Sequence, residues 1–239
     1  VKREDKETLH AFLETARGWV SPGEYRPRPL PDFQDDVECA AAAPYNDLSG
    51  LYGAIAACTR CKLSGTRTNT VPGTGSDRPL VMVIGEGPGA DEDSQGLPFV
   101  GKAGQLLDRM LSSIGLSRNA NVYIANIVKC RPPQNRDPEP DEADSCAPWL
   151  EAQIGILSPP VILALGRVAA RRLLGTTEGI GRIHGKFFDY KGIPLMPTYH
   201  PSALLRDDSL KRPAWEDLKL LRERLLSLNP DYEGHGDAS

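Results

Sequence analysis

The sequence predicts an α/β protein: a three-layer α/β/α single domain around a central, mostly parallel sheet of about four strands. Three observations lead there. Short apolar runs, such as 80–84 and 161–165, are too continuous for strands with one wet face. They alternate with segments of helical apolar spacing. The alternation covers roughly 180 residues, the size of one domain.

Taken in order, residues 2–19 set Leu9, Phe12, Leu13 and Ala16 at helical spacing, and a short amphipathic helix is expected. Residues 21–47 carry five prolines and an Asp-Asp pair, the composition of an extended linker. The regular alternation starts near Leu48. It gives a helix at 48–58, a strand at 80–84, a helix at 102–115, a strand at 122–128 and a helix at 141–156. A strand at 161–165, a helix at 166–174, a strand pair near 186–197 and a helix at 213–228 follow. The expected domain is 48–228, between an N-terminal extension of 1–47 and an acidic C-terminal tail of 229–239. Ligands of parallel sheets gather beyond the carboxyl ends of the strands, so the residues that follow each strand are the candidate site.

Charge and hydropathy narrow the class. Of the 239 residues 40% are hydrophobic, 25% charged and only 6% aromatic, which argues against a broad aromatic-lined surface. The apolar runs fall far short of the roughly 20 residues that cross a bilayer. The first residues are charged on both signs, with no apolar signal core. A cytoplasmic protein, neither inserted nor secreted, is expected. The net charge of −4 seems to oppose nucleic acid, but it is unevenly spread. Residues 1–50 hold ten acids against six bases, the whole −4, while 51–229 hold 22 bases against 19 acids. The body of the chain is slightly basic.

Five cysteines and no signal peptide argue against a disulfide framework. Cys58 and Cys61 form a C-x2-C pair, and Cys130 and Cys146 bracket fifteen residues. Four thiolates can hold zinc or a cubane iron–sulfur cluster, and the spacing alone leaves both open. Cys39, in the linker, is read as a bystander.

After the strand at 80–84 comes Gly85-Glu86-Gly87-Pro88-Gly89-Ala90. This spells G-x-G-x-x-[GA], but a dinucleotide turn opens straight into a helix, and here a second loop is expected until about Lys102. The loop offers backbone N–H groups without an intervening Cβ, the carboxylates of Glu86 and Glu92, and an exposed ring, Phe99. Those are the parts of a pocket for a flat polar ligand.

Four motifs in order carry a resemblance: Gly85-Glu86-Gly87-Pro88-Gly89, Gly96-Leu97-Pro98-Phe99-Val100-Gly101-Lys102-Ala103-Gly104, the run from Asn126 through Lys129 and Cys130 to Arg136, and His200-Pro201-Ser202. With the four cysteines, this set resembles the family 4, iron–sulfur, uracil-DNA glycosylases of the uracil-DNA glycosylase superfamily. The match covers about 48–226 and leaves 1–47 outside.

The resemblance implies a DNA repair hydrolase that flips uracil out of DNA and cleaves its N-glycosidic bond, leaving an abasic site without a lyase step. It implies one structural [4Fe-4S] cluster on Cys58, Cys61, Cys130 and Cys146, and no nucleotide cofactor. Gly85, Gly87, Glu92, Phe99 and Asn126 would bind uracil: Phe99 by stacking, Asn126 by its amide, Glu92 by rejecting the methyl of thymine. His200 would donate a hydrogen bond to uracil O2 as charge develops there. Another branch carries an Asp two residues after the first glycine, where this chain has Gly87, so the water-activating role moves to Glu86. Leu204 or Leu205 would wedge into the vacated stack, and Ser202 and Arg206 would hold phosphates. Lys129, Arg131 and Arg136 are expected to track the DNA backbone. His184, in Gly181-Arg182-Ile183-His184, is read as structural. Uracil-containing DNA, single- or double-stranded, is the expected partner of a monomer, with a further protein partner conceivable for the extension. The competing readings are a non-catalytic iron–sulfur or zinc DNA-binding module and a nucleotide-dependent oxidoreductase.

Overall fold

The computed structural model describes residue 45 and residues 47–235. The expected helix over 2–19, most of the expected linker and Cys39 lie outside them. Six strands form one sheet: β1 (Thr74–Gly75), β2 (Val81–Gly85), β3 (Val122–Asn126), β4 (Ile162–Leu165), β5 (Phe188–Tyr190) and β6 (Ile193–Thr198). Their order is β1-β3-β2-β4-β6-β5. The inner four, β3-β2-β4-β6, are all parallel, while β1 and β5 pair antiparallel at the edges. The expected count of about four is therefore the parallel core; the strand pair expected near 186–197 is the edge strand β5 with β6, and β1 was not anticipated. A two-residue strand such as β1 is too short to show an alternation.

Eight helices are described: α1 (Leu48–Ala56), α2 (Ala90–Gln95), α3 (Lys102–Ser112), α4 (Pro140–Leu157), α5 (Gly166–Leu174), α6 (Ile180–Ile183), α7 (Pro201–Arg206) and α8 (Lys211–Leu228). The period of two along the inner strands divides the core into two layers. Val81, Val83, Val122, Ile124 and Leu163 pack with Leu107 and Leu111 of α3 and with Leu218 and Leu221 of α8. Met82, Ile84, Tyr123, Ala125 and Ile162 pack on the other face with Leu150 and Ile154 of α4 and Ala169 of α5. Each fully buried aliphatic side chain contributes about 1.5–3 kcal/mol over its exposed form, so both layers are needed to hold the sheet. Leu51 and Ile55 then fasten α1 onto Ala152 of α4.

Local chemistry sets the helix ends. Asp47 caps α1, its Oδ1 accepting from Gly50 N at 2.8 Å. Pro140 opens α4, and Glu142 reaches back to the Glu139 N–H at 2.8 Å. Helix α2 corrects the reading that a loop runs from Gly89 to Lys102. Its six residues begin directly after Gly89, with Glu92 accepting from the Gly89 N–H at 3.1 Å, and they stop at Gly96 in the left-handed region. Three acids in one turn (Asp91, Glu92, Asp93) hide the helix from an apolar-period search, yet suit a helix N-terminus.

The packed chain runs beyond 228. Tyr232 is fully buried, and its hydroxyl donates to the Ile114 carbonyl at 3.1 Å. Among the described residues no helix is long and apolar enough to cross a membrane.

Candidate active site

All four parallel strands end at one cavity of about 610 Å³. Strand β2 delivers Glu86 and Gly87, β3 delivers Asn126, β4 is followed by Gly166 and Arg167, and β6 by Tyr199 and His200. Glu92, Phe99, Ser202 and Arg206 complete the walls.

The floor depends on the absence of side chains. A Cβ on Gly85 would stand 2.5 Å from Asn126 Oδ1 and 2.6 Å from Phe99 Cζ, so only glycine lets the three meet. Gly166, at φ +84°, likewise leaves room for His200, whose Cβ would lie 2.8 Å from an added one. Phe99 is buried, not exposed as the loop composition suggested, and holds a left-handed backbone at φ 54°. Arg118 donates to its carbonyl at 2.8 Å, which helps secure that conformation. The Phe99 and His200 rings lie 5.6 Å apart between centroids.

Asn126 is wholly buried, and neither its Nδ2 nor its Oδ1 has a hydrogen-bond partner. An unsatisfied buried amide costs about 1–3 kcal/mol, a cost a fold retains where a ligand supplies the missing partners. The amide offers one donor and one acceptor side by side.

His200 caps α7, with Pro201 as the first helical residue. Its Nδ1 accepts from the Ser202 N–H at 3.1 Å, and Ser202 Oγ lies 2.8 Å away. Burial, reinforced by Arg206, pushes the ring down to about 4, so it is neutral at pH 7. A neutral imidazole that accepts at Nδ1 carries its proton on Nε2, leaving that nitrogen as a donor.

Glu86 is the one pocket carboxyl held near neutrality. Burial first, and then Asp137, raise it to about 7 against the pull of Arg167. Arg167 in turn pairs with Asp137. Neither Arg167 nor Asp137 was foreseen. Arg167 could have been, because it stands two residues past the carboxyl end of β4. Glu92 lines the cavity, but its Oε1 accepts from Val100 N at 2.9 Å and Gly101 N at 3.0 Å, and its Oε2 from Gly89 N. Three backbone donors make it a fastener of the two loops, which revises the expectation of a group aimed at the ligand.

Three further expectations are corrected. Lys129 is 1% exposed and cannot track a DNA backbone; burial pulls its amine down to about 8. Arg136 lines the cavity but is not a free cation, since it makes a bidentate pair with the buried Glu142 at 2.8 and 2.6 Å. Of the two wedge candidates, Leu204 is 2% exposed and belongs to the core, whereas Leu205 is 47% exposed. Arg131 donates to Asn135 Oδ1 at 2.7 Å. His184 holds the buried Asp217 at 2.9 Å, which in turn accepts from Thr198 at 2.6 Å, a bracing pattern at the end of β6.

Cys58, Cys61, Cys130 and Cys146 line one small cavity beneath α1 and α4. Among the described residues no three His, Cys, Asp or Glu side chains close around a single metal-ion position. Burial raises the Cys130 thiol and pushes the Cys146 thiol up to about 11, yet N–H groups point at three of the four sulfurs. Trp149 Nε1 donates to Cys58 Sγ at 3.4 Å, Arg67 Nη1 to Cys130 Sγ at 3.3 Å, and Lys129 N to Cys146 Sγ at 3.3 Å. N–H donors aimed at sulfur are what a cysteine-ligated cluster requires of its shell.

Comparison with known proteins gives these features a family. The description "Uracil DNA glycosylase superfamily" matches residues 72–219. The chain is 43% identical to the type-4 uracil-DNA glycosylase of Sulfurisphaera tokodaii over 194 residues, 77% of this chain and 87% of the relative. The type-4 enzyme of Saccharolobus solfataricus is 43% identical over 205 residues, 80% and 94% of the two chains. That of Pyrobaculum aerophilum is 44% identical over 185 residues, 73% and 92%. The chain belongs to the uracil-DNA glycosylase superfamily and, within it, to the type-4 branch.

Proposed function

We propose that this protein removes uracil from DNA by hydrolysing its N-glycosidic bond, releasing free uracil and leaving an abasic site with no lyase step. The observation that carries the reading is the buried, partnerless amide of Asn126 between Gly85, Phe99 and His200. Its Nδ2 donates to uracil O4 and its Oδ1 accepts from N3–H, so the Watson–Crick edge that distinguishes uracil from cytosine restores both missing bonds.

The extruded base stacks against Phe99. As the bond to C1′ lengthens, negative charge collects on the uracil, and the neutral His200 donates from Nε2 to O2. A preformed donor in a dry pocket stabilises such charge without reorganising. Glu86, ionised for the step, takes the proton of the attacking water or faces the cationic sugar. Leu205 fills the gap in the stack, and Ser202 and Arg206 hold the flanking phosphates.

Cys58, Cys61, Cys130 and Cys146 would hold one [4Fe-4S] cluster. When bound, it would cross-link the 58–61 segment, the loop after Cys130 and α4. The cysteine donor set and the three N–H groups pointing at its sulfurs support this. No nucleotide cofactor is needed. A DNA substrate suits an intracellular protein. The non-catalytic alternative is not favoured, because the relatives matched over most of this chain are type-4 uracil-DNA glycosylases.

The test is excision from single-stranded oligonucleotides containing uracil, thymine, hypoxanthine or xanthine, with iron measured on the same sample. Release of uracil and not thymine is expected. Iron-replete protein that binds the uracil strand but releases no base would return the non-catalytic reading.

A further inference from the structure

Lys129 stands beside Cys130 in the sequence, yet its side chain points inward to the strand end that carries Asn126. Its Nζ donates to the Asn126 carbonyl at 2.8 Å and to Gln153 Oε1 at 2.6 Å. Gln153, on α4, is itself fully buried. Its Nε2 donates to the Pro72 carbonyl at 2.7 Å and lies 3.0 Å from the Tyr123 hydroxyl. With Nε2 so engaged, Oε1 is the atom left to face the amine. The amine is thereby held from the helix layer while it holds the end of β3.

What it holds matters because the Asn126 side chain has no protein partner. No hydrogen bond within the protein sets the direction of that amide, so its aim is inherited from its own backbone. One side of that backbone is fixed by β2, through the pairing of Gly85 with Asn126 and the bond from Ile127 N to Gly85 O at 2.9 Å. Lys129 fixes the carbonyl.

We propose that Lys129, clamped by Gln153, is a positioning residue for Asn126 and sets how strongly the pocket prefers uracil over other bases. The inference rests on the reading of Asn126 given above. Lys129 does not touch the base. It fixes the peptide from which the base-reading amide projects, and small misplacements of such groups cost a large part of their effect.

The test is a double-mutant cycle read by binding. The iron-replete full chain is bound to a single-stranded oligonucleotide carrying 2′-fluoro-deoxyuridine, whose fluorine resists cleavage by destabilising the cationic sugar. The same strand with 2′-fluoro-deoxycytidine in its place is the reference, because cytosine presents the opposite donor and acceptor to the Asn126 amide. Wild type prefers uracil, and Asn126→Ala abolishes the preference. Lys129→Met lowers the preference about 10- to 100-fold, the size of a lost charged hydrogen bond. It leaves affinity for the cytosine strand unchanged, and in the Asn126→Ala background it changes the preference no further.

A merely structural lysine would weaken both strands together and equally in both backgrounds, and that result would overturn the proposal. If Lys129→Met does not fold, Gln153→Met loosens the clamp from the helix side. It should give a smaller loss that again vanishes with Asn126→Ala; full preference in Gln153→Met would overturn the proposal. Preference surviving in Asn126→Ala would sink the reading of the site itself. Preference lost there but intact in Lys129→Met would sink only the inference about Lys129.

Discussion

Glu86 and its two neighbours make opposite demands that can be separated one residue at a time. Asp137 raises the Glu86 carboxyl and Arg167 lowers it. If Glu86 must be ionised, kcat/KM falls about tenfold per pH unit below about 7. Asp137→Asn should move that acid limb to lower pH, and Arg167→Met should move it to higher pH, both read from pH–rate profiles. Limbs that stay in place in both variants would remove Glu86 from the rate-limiting ionisation. Stability gives a second readout. The fold raises this group from 4.5 to about 7, so its contribution is fully present at low pH and is lost as pH rises through about 7. Glu86→Gln should therefore melt higher than wild type at pH 8 and about the same at pH 4.5, while still binding uracil-containing DNA. At this scale the sequence was informative about identity and poor about environment. Glu86, Asn126 and His200 stood out by following strands or by motif. Nothing in the letters told that Glu92 spends both oxygens on backbone N–H groups, or that Asp137 and Arg167 flank Glu86 from segments far apart in the chain.

The elements around the pocket divide their residues between packing and contact in ways that periodicity anticipates only in part. Helix α7 is six residues long, too short to display an apolar period, so Leu204 and Leu205 were equivalent on sequence grounds. The structure gives Leu204 to the core. Leu204→Ala should cost about 2–5 kcal/mol by denaturant unfolding. Leu205→Ala should stay within about 0.5 kcal/mol of wild type yet slow excision from duplex more than from single strands. The loop after β3 shows the same division among cations. Lys129 turns inward, and Arg136 is held by Glu142 and Glu139. Arg136→Ala should then lower the melting temperature and leave the salt dependence of DNA binding unchanged. Arg206→Ala should reduce the slope of log affinity against log salt by about one unit. A shared reduction in both variants would restore Arg136 to the DNA surface. The inner strands β2 and β4 were legible to within a residue or so, because burial on both faces imposes continuous apolar runs. The edge strand β1, α2 and α6 were not, because pairing and caps rather than apolar period make them.

Across the whole molecule, four parallel strands end together at one cavity and bring Glu86, Asn126 and His200 to it, in a DNA repair glycosylase that removes uracil. The cysteine cavity lies behind it, joined to the pocket wall by the short path from Cys130 through Lys129 to Asn126. Cys146→Ser should reduce iron content and thermal stability together. In the iron-replete protein, reduction of the cluster should leave excision unchanged as long as the fold persists. Excision that switched on and off with cluster oxidation state would contradict a structural role. The net charge of −4, taken over the whole chain, misdirected attention, since 51–229 is slightly basic and its specificity comes from the pocket. The most direct measurement is the product analysis of iron-replete wild type acting on a single-uracil strand, beside Asn126→Ala and Glu86→Gln. Wild type should release free uracil and leave a strand that breaks only on alkaline treatment. Asn126→Ala should lose uracil preference, and Glu86→Gln should bind but turn over slowly. An iron-replete wild type that releases no uracil, or an Asn126→Ala variant that releases it at the wild-type rate, would contradict the account.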